Sequence, residues 1–257
     1  MAPKKFWRQI LTRKTKESNK ITLEDWNSYL KNIYDSLNVI SNIQTLPTTE
    51  EFFSLEDMDF GIKRLAIGRA KDIEGYQVEI LKIGGHVLST HIHNLFNLVV
   101  KQGFPKPWTP SHIIPILKSG DMNNPSNCQT IMISPLLAKL YVVILEKKII
   151  VWLESKGKRA KGQASFRMHH STIEHLITLR VIAEECRNNK SNMFCCFVDF
   201  KKAFDTVPRN NIWNRLEELK VTFELRATAI RLYENVITKF KSIEVWLKYI
   251  NCNIGVK

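Results

Sequence analysis

The sequence lacks the features that mark a membrane protein or a disulfide-stabilised one. No uncharged apolar run approaches the ~20 residues of a membrane-spanning helix, and charged side chains interrupt the apolar stretch Leu136–Trp152. The five cysteines are scattered and include no Cys-x-x-Cys pair, so neither a disulfide framework nor a zinc ribbon is indicated. Residues 1–20 are basic without an apolar core, unlike a secretory signal. We therefore expect an intracellular protein, nuclear or cytoplasmic, without a membrane partner.

Acidic residues are too few to balance the basic ones. The chain has 38 Lys and Arg against 25 Asp and Glu, a net charge of +13 in 257 residues. A surplus of this size favours an anionic partner, nucleic acid first, and solubility alone is the alternative. The 44% of hydrophobic residues exclude a disordered chain. The length suits one large domain or two small ones.

The order of apolar patterns predicts a helix-rich α+β protein. Helical periodicity predicts helices over the following ranges: Ile21–Leu46, Ser54–Leu65, His86–Lys101, Leu136–Lys156, Ser171–Asn188, Arg209–Lys220 and Glu224–Lys239. Strands are predicted at His112–Leu117, Phe194–Asp199 and Ser242–Leu247. The second of these is apolar on both faces, which is typical of a central strand. Ser171 opens a Ser-Thr-Ile-Glu capping-box pattern. Helices and strands mix without strict βαβ alternation, so α+β is favoured over a doubly wound sheet.

Asp199 is the sharpest candidate site residue. It follows the apolar run Phe194–Val198, so it is predicted to project from a strand end, a rigid position for a divalent cation. Magnesium is commonly held by one or two protein carboxylates, with substrate phosphates completing its shell. Turn initiation is the plain alternative for an Asp at this position.

The residues around Asp199 form part of a longer pattern. Phe-x-Asp-x-x-Lys-Ala-Phe-Asp-x-Val is matched over Phe197–Val207 and resembles the first palm motif of reverse transcriptases from non-LTR (LINE-type) retrotransposons. Further segments resemble motifs of that family in the same order, namely Gly68–Lys82, Ile114–Asp121, Asn124–Asn127 and Gly162–Arg167 with Ser171-Thr172. Several motifs in order are more specific than any one of them.

The resemblance implies a right-hand polymerase fold and a two-metal reaction. The fold would comprise fingers and the first half of a palm with a small antiparallel sheet. Such enzymes copy an RNA template into DNA from a DNA primer and dNTPs, using two Mg²⁺ ions. The resemblance implies domains at residues 1–60 (a basic extension with helices), 61–190 (fingers-like) and 191–257 (partial palm). It says nothing about oligomeric state.

The resemblance also implies roles for individual residues. Asp199 matches the catalytic, metal-binding aspartate. Phe204 matches the aromatic steric gate beneath the deoxyribose, although core packing is its alternative reading. The backbone carbonyl of Phe200 could reach a metal. Lys118 could meet the triphosphate or be an exposed strand-end lysine, and Gln163 falls in a nucleotide-binding segment. The same segment contains Arg167, for which phosphate is the expected contact.

The sequence departs from the family pattern in ways that bear on activity. Gln129 stands where the family has Arg, and Ser165 replaces a Gly. Asn253–Lys257 resembles only the opening of the next motif, and there is no Asp-Asp pair. One carboxylate cannot hold two Mg²⁺ ions, so we expect a fragment that is inactive alone. The alternatives are a non-catalytic nucleic-acid-binding remnant, a pseudogene product that does not fold, and a Mg²⁺ phosphatase with Asp199 as nucleophile.

Overall fold

A computed structural model describes residues 21–34, 51–118, 120–121, 123–158, 162–165, 167, 170–199 and 209–237. Eight α-helices, two short 3₁₀ helices and two strands lie within these ranges. The helices are α1 (Leu23–Tyr34), α2 (Leu55–Arg64), α3 (Val78–Ile83), α4 (Gly85–Gln102), α5 (Leu136–Ser155), α6 (Thr172–Asn188), α7 (Arg209–Glu218) and α8 (Phe223–Ile237). The strands are β1 (His112–Leu117) and β2 (Cys128–Ile133). The helix-rich α+β class expected from the sequence agrees with this content. The predicted strand Ser242–Leu247 lies outside the described residues.

The chain divides into two compact units. The first comprises residues 1–148 and 208–257, and the second comprises residues 149–207. Among the described residues, no helix is long and apolar enough to cross a membrane.

The core of the first unit is an aromatic cluster around Tyr141 of α5. The Tyr141 ring lies 5.2 Å from the ring of Phe53 and 5.1 Å from that of Phe96, centroid to centroid. Both contacts are edge-on, the geometry that the quadrupoles of aromatic rings favour. Burial raises the pKa of the Tyr141 phenol, because the charged form would lose its hydration. The cluster connects α4 and α5 to the segment that precedes α2.

Helices α2 and α5 approach closely at Gly61. A Cβ atom added there would lie 2.6 Å from Ile144 Cγ1 and 2.8 Å from Leu140 Cδ1. Leu140 and Ile144 are fully buried, so neither can move freely away. Glycine is therefore required by the close approach of the two helices rather than by its own backbone conformation.

An ionic contact crosses the same interface at Asp57. Its two carboxylate oxygens lie 3.1 Å from Lys147 Nζ and 3.0 Å from Lys148 Nζ. Asp57 also accepts a hydrogen bond from the backbone N–H of Ser54 and completes a capping box at the start of α2. Burial would raise the pKa of Asp57, but the Ser54 amide and the two ammonium groups outweigh burial and hold that pKa below its usual value.

The two strands form an antiparallel hairpin, with His112 opposite Ile133 and Leu117 opposite Cys128. Pro115 sits within β1, opposite Thr130, which a two-stranded sheet accommodates because each strand keeps an open edge. Trp26 and Leu30 of α1 are buried in a small cluster beside the hairpin. Strand β2 follows a turn-rich loop and was not among the predicted strands.

The predicted central strand Phe194–Asp199 is wrong. Residues 191–199 form no helix or strand, and the exposed fractions are 92% for Phe194 and 84% for Phe197. A strand exists only through its hydrogen-bonded partners, and no described segment pairs with this one. Among the described residues, the small sheet therefore lies at residues 112–133, outside the segment 194–199 that was expected to contribute a strand.

The helix of the second unit, α6, follows Ser171 as the sequence predicts. However, the Ser171 side chain makes no capping hydrogen bond, so the predicted capping box is wrong there and occurs at Ser54 instead. No side chain of α6 is buried. Its apolar residues Ile173, Leu176 and Ile177 are 57–63% exposed.

The contact at Gly61 leads to a prediction about stability. We expect Gly61→Ala to lower the free energy of unfolding by about 1–3 kcal/mol, because the added methyl forces Leu140 and Ile144 out of their packing. Urea denaturation measures this. Gly162→Ala is the matched control, since no atom lies within 4 Å of the added Cβ. An unchanged or raised stability for Gly61→Ala would contradict the close packing.

The lowered pKa of Asp57 predicts how stability depends on pH. Because the folded pKa lies below the unfolded one, the contribution of Asp57 is complete above about pH 5 and disappears as pH falls through the folded pKa. We expect Asp57→Asn to cost about 1–3 kcal/mol at pH 7 and progressively less below about pH 4. Denaturation of both proteins from acid to neutral pH measures the difference. A difference that stays constant over this range would refute the assignment.

Candidate functional site

Asp199 is an exposed residue at the end of the irregular segment 191–199. It makes no hydrogen bond or ion pair with the described residues. It therefore does not have the rigid strand-end position that the sequence predicted. Phe200 and Phe204, the expected nucleotide-binding residues that follow it, lie outside the described residues.

The described residues do not provide the ligands of a two-magnesium centre. Within those ranges, no group of three or more His, Cys, Asp or Glu side chains is placed to hold a metal ion. Asp199 supplies one carboxylate, and Mg²⁺ requires near-octahedral oxygen coordination.

Lys118 lies in the first unit, directly after β1, and its side chain is exposed. Its backbone N–H donates to the carbonyl of Asn127 at 3.0 Å, which continues the hairpin pairing by one residue. The hairpin thus fixes the backbone from which Lys118 extends. The ammonium group is accessible to an anion, as the sequence predicts, but the triphosphate role stays a prediction.

Gln163 and Arg167 lie in the second unit. Gln163 is exposed, whereas the Arg167 guanidinium forms a two-pronged ion pair with Glu154. Nε lies 3.1 Å from Oε1 and Nη2 lies 3.1 Å from Oε2. This fork geometry is also the one in which arginine binds phosphate. Glu154 therefore occupies the guanidinium face that a phosphate would use.

The hydrogen bonds of two buried polar side chains in the first unit, Asn97 and His93, were not predicted, because they join residues far apart in the sequence. Asn97 Oδ1 accepts the backbone N–H groups of Phe52 and Phe53 at 2.8 and 2.9 Å. A nitrogen of the His93 ring donates to the carbonyl of Phe53 at 2.8 Å. Together they satisfy the backbone before α2. His93 is thus explained by structure and need not be a ligand.

The contacts of Asp72 were also not predicted from the sequence. Its Oδ1 accepts the backbone N–H groups of Glu74 and Tyr76 at 3.0 and 2.8 Å. Its Oδ2 accepts the N–H of Leu136 at 2.8 Å, at the start of α5, a negative group at a helix N-terminus. An Asx-turn signal was readable locally, but the contact with Leu136 was not. Asp72 thereby fixes loop 66–77 against α5.

A pocket of about 300 Å³ lies beside this loop. Its walls are mainly apolar and come from α3, α4, Trp108 and the start of α5. They are formed by Asp72, Glu74, Tyr76, Ile80, Leu81, Leu88, His91, Ile92, Leu95, Trp108, Pro135, Leu136 and Leu137. Both oxygens of Asp72 already accept backbone hydrogen bonds, and among the described residues the pocket has no group of three His, Cys, Asp or Glu side chains placed to hold a metal ion.

The chain is similar to proteins of retrotransposons. It is 30% identical over 117 residues to the Retrovirus-related Pol polyprotein from type-1 retrotransposable element R2 of Popillia japonica, covering 46% of this chain and 16% of that protein. It is 26% identical over 162 residues to the probable RNA-directed DNA polymerase from transposon X-element of Drosophila melanogaster, covering 58% and 18%. No family model matches the sequence.

A third relative is the RNA-directed DNA polymerase from mobile element jockey of Drosophila melanogaster, 30% identical over 115 residues. This match covers 44% of the chain and 13% of the relative. The resemblance to non-LTR retrotransposon reverse transcriptases is therefore confirmed at the level of sequence similarity. In each of the three, the match spans less than one fifth of the relative's length.

The pairing of Arg167 with Glu154 predicts a gain in affinity when the carboxylate is neutralised. If Arg167 contacts phosphate, Glu154→Gln should tighten nucleic-acid binding by up to about fivefold, because an exposed ion pair holds a side chain by about 0.2–1 kcal/mol. Fluorescence anisotropy with a labelled oligonucleotide measures this. Glu184→Gln, which removes the charge opposite Arg180, is the matched control. Equal effects of the two substitutions would remove Arg167 from the interface.

Proposed function

We propose that the chain is part of a non-LTR retrotransposon reverse transcriptase and that the whole protein copies an RNA template into DNA. The observation that carries the proposal is the similarity to the R2, X-element and jockey proteins. The motif around Asp199 and the net charge of +13 support it, since a template and primer are polyanions. In this proposal, residues 61–190 belong to the fingers and residues 191–257 to the palm.

The proposed roles follow the motif. Asp199 provides one carboxylate to magnesium, while Phe200 and Phe204 lie at the nucleotide. Lys118 and Gln163 contribute to nucleotide binding, and Arg167 binds the nucleic-acid backbone. The two ions would lower the pKa of the primer hydroxyl and neutralise the leaving pyrophosphate.

A second candidate is a nucleic-acid-binding chain without catalysis. It is favoured by the net charge of +13, because exposed cations bind a polyanion without a metal centre. The two candidates share a polyanionic partner and differ in the requirement for Asp199. Their common prediction is binding that weakens steeply with salt.

Primer extension tests whether this chain is catalytic by itself. We expect the 257-residue chain to incorporate no dTTP on poly(rA) primed with oligo(dT), in the presence of Mg²⁺, above the level of Asp199→Asn. The reason is that one carboxylate cannot hold two metal ions. Incorporation that requires Asp199 would overturn the expected inactivity and support the first candidate directly.

A binding measurement tests the polyanionic partner that both candidates share. Fluorescence anisotropy with labelled poly(rA)–oligo(dT) should show an affinity that falls as the salt concentration rises. Unlabelled hybrid should displace the labelled hybrid more effectively than heparin of equal charge. Asp199→Asn should bind as tightly as the unmodified chain. Failure to bind the hybrid at low salt would contradict both candidates.

A further inference from the structure

The pocket beside loop 66–77 lies within the first unit, and its size limits what can occupy it. Its volume is about 300 Å³, at the lower end of the ~300–1,000 Å³ range of ligand pockets. A cavity of ~150 Å³ holds one benzene molecule. The pocket therefore has room for a molecule of one or two fused rings.

The walls change from buried to exposed. Leu81, Ile92 and Leu136 are 3–8% exposed, so they belong to the inner part of the pocket. Tyr76 and Ile80 are 50% and 47% exposed, so they lie towards its opening. A ligand would thus bury one end among aliphatic side chains and keep the other end near water.

The walls are held in place without a ligand. Asp72 joins the loop to the start of α5 by accepting the N–H of Leu136 at 2.8 Å, and it accepts two further N–H groups within the loop. Another wall residue, Trp108, packs edge-on against the ring of Phe96, with the ring centroids 5.7 Å apart. A site whose walls are already fixed loses little conformational entropy when a ligand binds.

The carboxylates of the walls select the charge of a ligand. Asp72 and Glu74 are wall residues, and no Lys or Arg is among the described residues that form the walls. Backbone N–H groups occupy both oxygens of Asp72. Glu74 is exposed and forms no ion pair in the described part of the chain. A carboxylate or phosphate ligand would be repelled here, whereas a cation would pair with Glu74.

The aromatic wall residues favour a flat ring in the ligand. Trp108 and Tyr76 both contribute to the walls. Aromatic side chains pack favourably against other rings, and their π faces attract an ammonium group. An apolar ring system that carries an amine matches the volume, the apolar interior and the acidic opening together.

We propose that this pocket binds a small aromatic amine, with its rings among Leu81, Ile92 and Trp108 and its ammonium group paired with Glu74. The inference goes beyond the proposed function and does not rest on it, because the ligand is neither a nucleotide nor a nucleic acid. The walls come from α3, α4, loop 66–77 and the start of α5. A bound amine therefore stabilises these segments together.

Three indoles that differ in charge test the chemical class of the ligand. Isothermal titration calorimetry uses the 257-residue chain at about pH 8, where histidine side chains are generally neutral. Tryptamine should bind with a Kd on the order of 0.1 mM, and the uncharged 3-methylindole about fivefold more weakly. The anion indole-3-propionate should bind more weakly still. No binding of tryptamine, or equal binding of the anion, would overturn the proposal.

Removal of one charge tests the role of Glu74. Glu74→Gln should weaken tryptamine binding by about fivefold and leave 3-methylindole binding unchanged, because only tryptamine carries a cation. Glu56→Gln is the matched control, since Glu56 is exposed in the same unit and is not a wall residue. Equal losses of tryptamine affinity in the two variants would overturn the pairing with Glu74.

A larger side chain tests the location of the site. Ile80→Trp places a bulkier group in the wall and should weaken tryptamine binding at least tenfold. Ile83→Trp lies on the same helix, is 83% exposed and is outside the walls, so it should bind like the unmodified chain. Unchanged binding by Ile80→Trp, or equal losses in both variants, would overturn the location. The Glu74 comparison decides the proposal even if Ile80→Trp does not fold.

Thermal unfolding gives a second measurement of the same binding. Tryptamine at about ten times its Kd should raise the melting temperature of the unmodified chain by roughly 3–6 °C. It should raise that of Ile80→Trp far less. An equal increase in both proteins would place the amine elsewhere and contradict the proposal.

Two further outcomes separate this inference from its alternatives. Self-association in analytical ultracentrifugation that Ile80→Trp abolishes, without tryptamine binding, would assign the pocket to a second copy of the chain and overturn the proposal. A chain that binds tryptamine as described but does not bind the poly(rA)–oligo(dT) hybrid supports this inference and contradicts the proposed function. The opposite result contradicts this inference alone.

Discussion

The interface between α2 and α5 is the constraint on which the first unit depends. At Gly61 the two helices are too close to admit a side chain, and one turn away Asp57 forms an ionic contact with α5. The two residues are four apart on α2, so they lie on the same helix face. Packing sets the distance between the helices, and the two lysines beside Asp57 set their register. Neither contact alone would fix how the two helices pack, because an ion pair tolerates small changes in distance and a packed surface tolerates sliding along the helix axis.

The segment before α2 depends on this interface in turn. Phe53 packs against Tyr141 and leaves its backbone in an apolar environment, where unpaired N–H and C=O groups are costly. Asn97 and His93 satisfy these groups from α4. The aromatic core therefore creates the need for a buried amide and imidazole. Asn97 and His93 are residue types that also occur in active sites, but here the need to satisfy buried backbone groups accounts for both.

Sequence periodicity was sufficient to predict helices, whose hydrogen bonds join residues that are close together in the chain. Helices α4 and α5 were predicted within one or two residues, because their apolar faces repeat at the helical period. Strand β2 was missed and Phe194–Asp199 was wrong for one reason: whether a segment becomes a strand depends on a partner elsewhere in the chain. The same difference between local and long-range information applies to the candidate site. The motif identified Asp199, but only the structure revealed that Glu154 holds Arg167.

The distribution of acidic residues decides where the surplus positive charge is exposed. A net charge of +13 does not by itself locate a binding surface, since paired lysines such as Lys147 add little field outside the protein. The carboxylates of Asp72, in loop 66–77, and of Glu79, in α3, accept amide hydrogen bonds from the loop, and this orders the backbone of the loop. The same carboxylates therefore position the loop and leave its cations exposed. Placing the loop acids on its outer side would conserve the net charge while weakening attraction for a polyanion, because nearby opposite charges screen one another over a few ångströms.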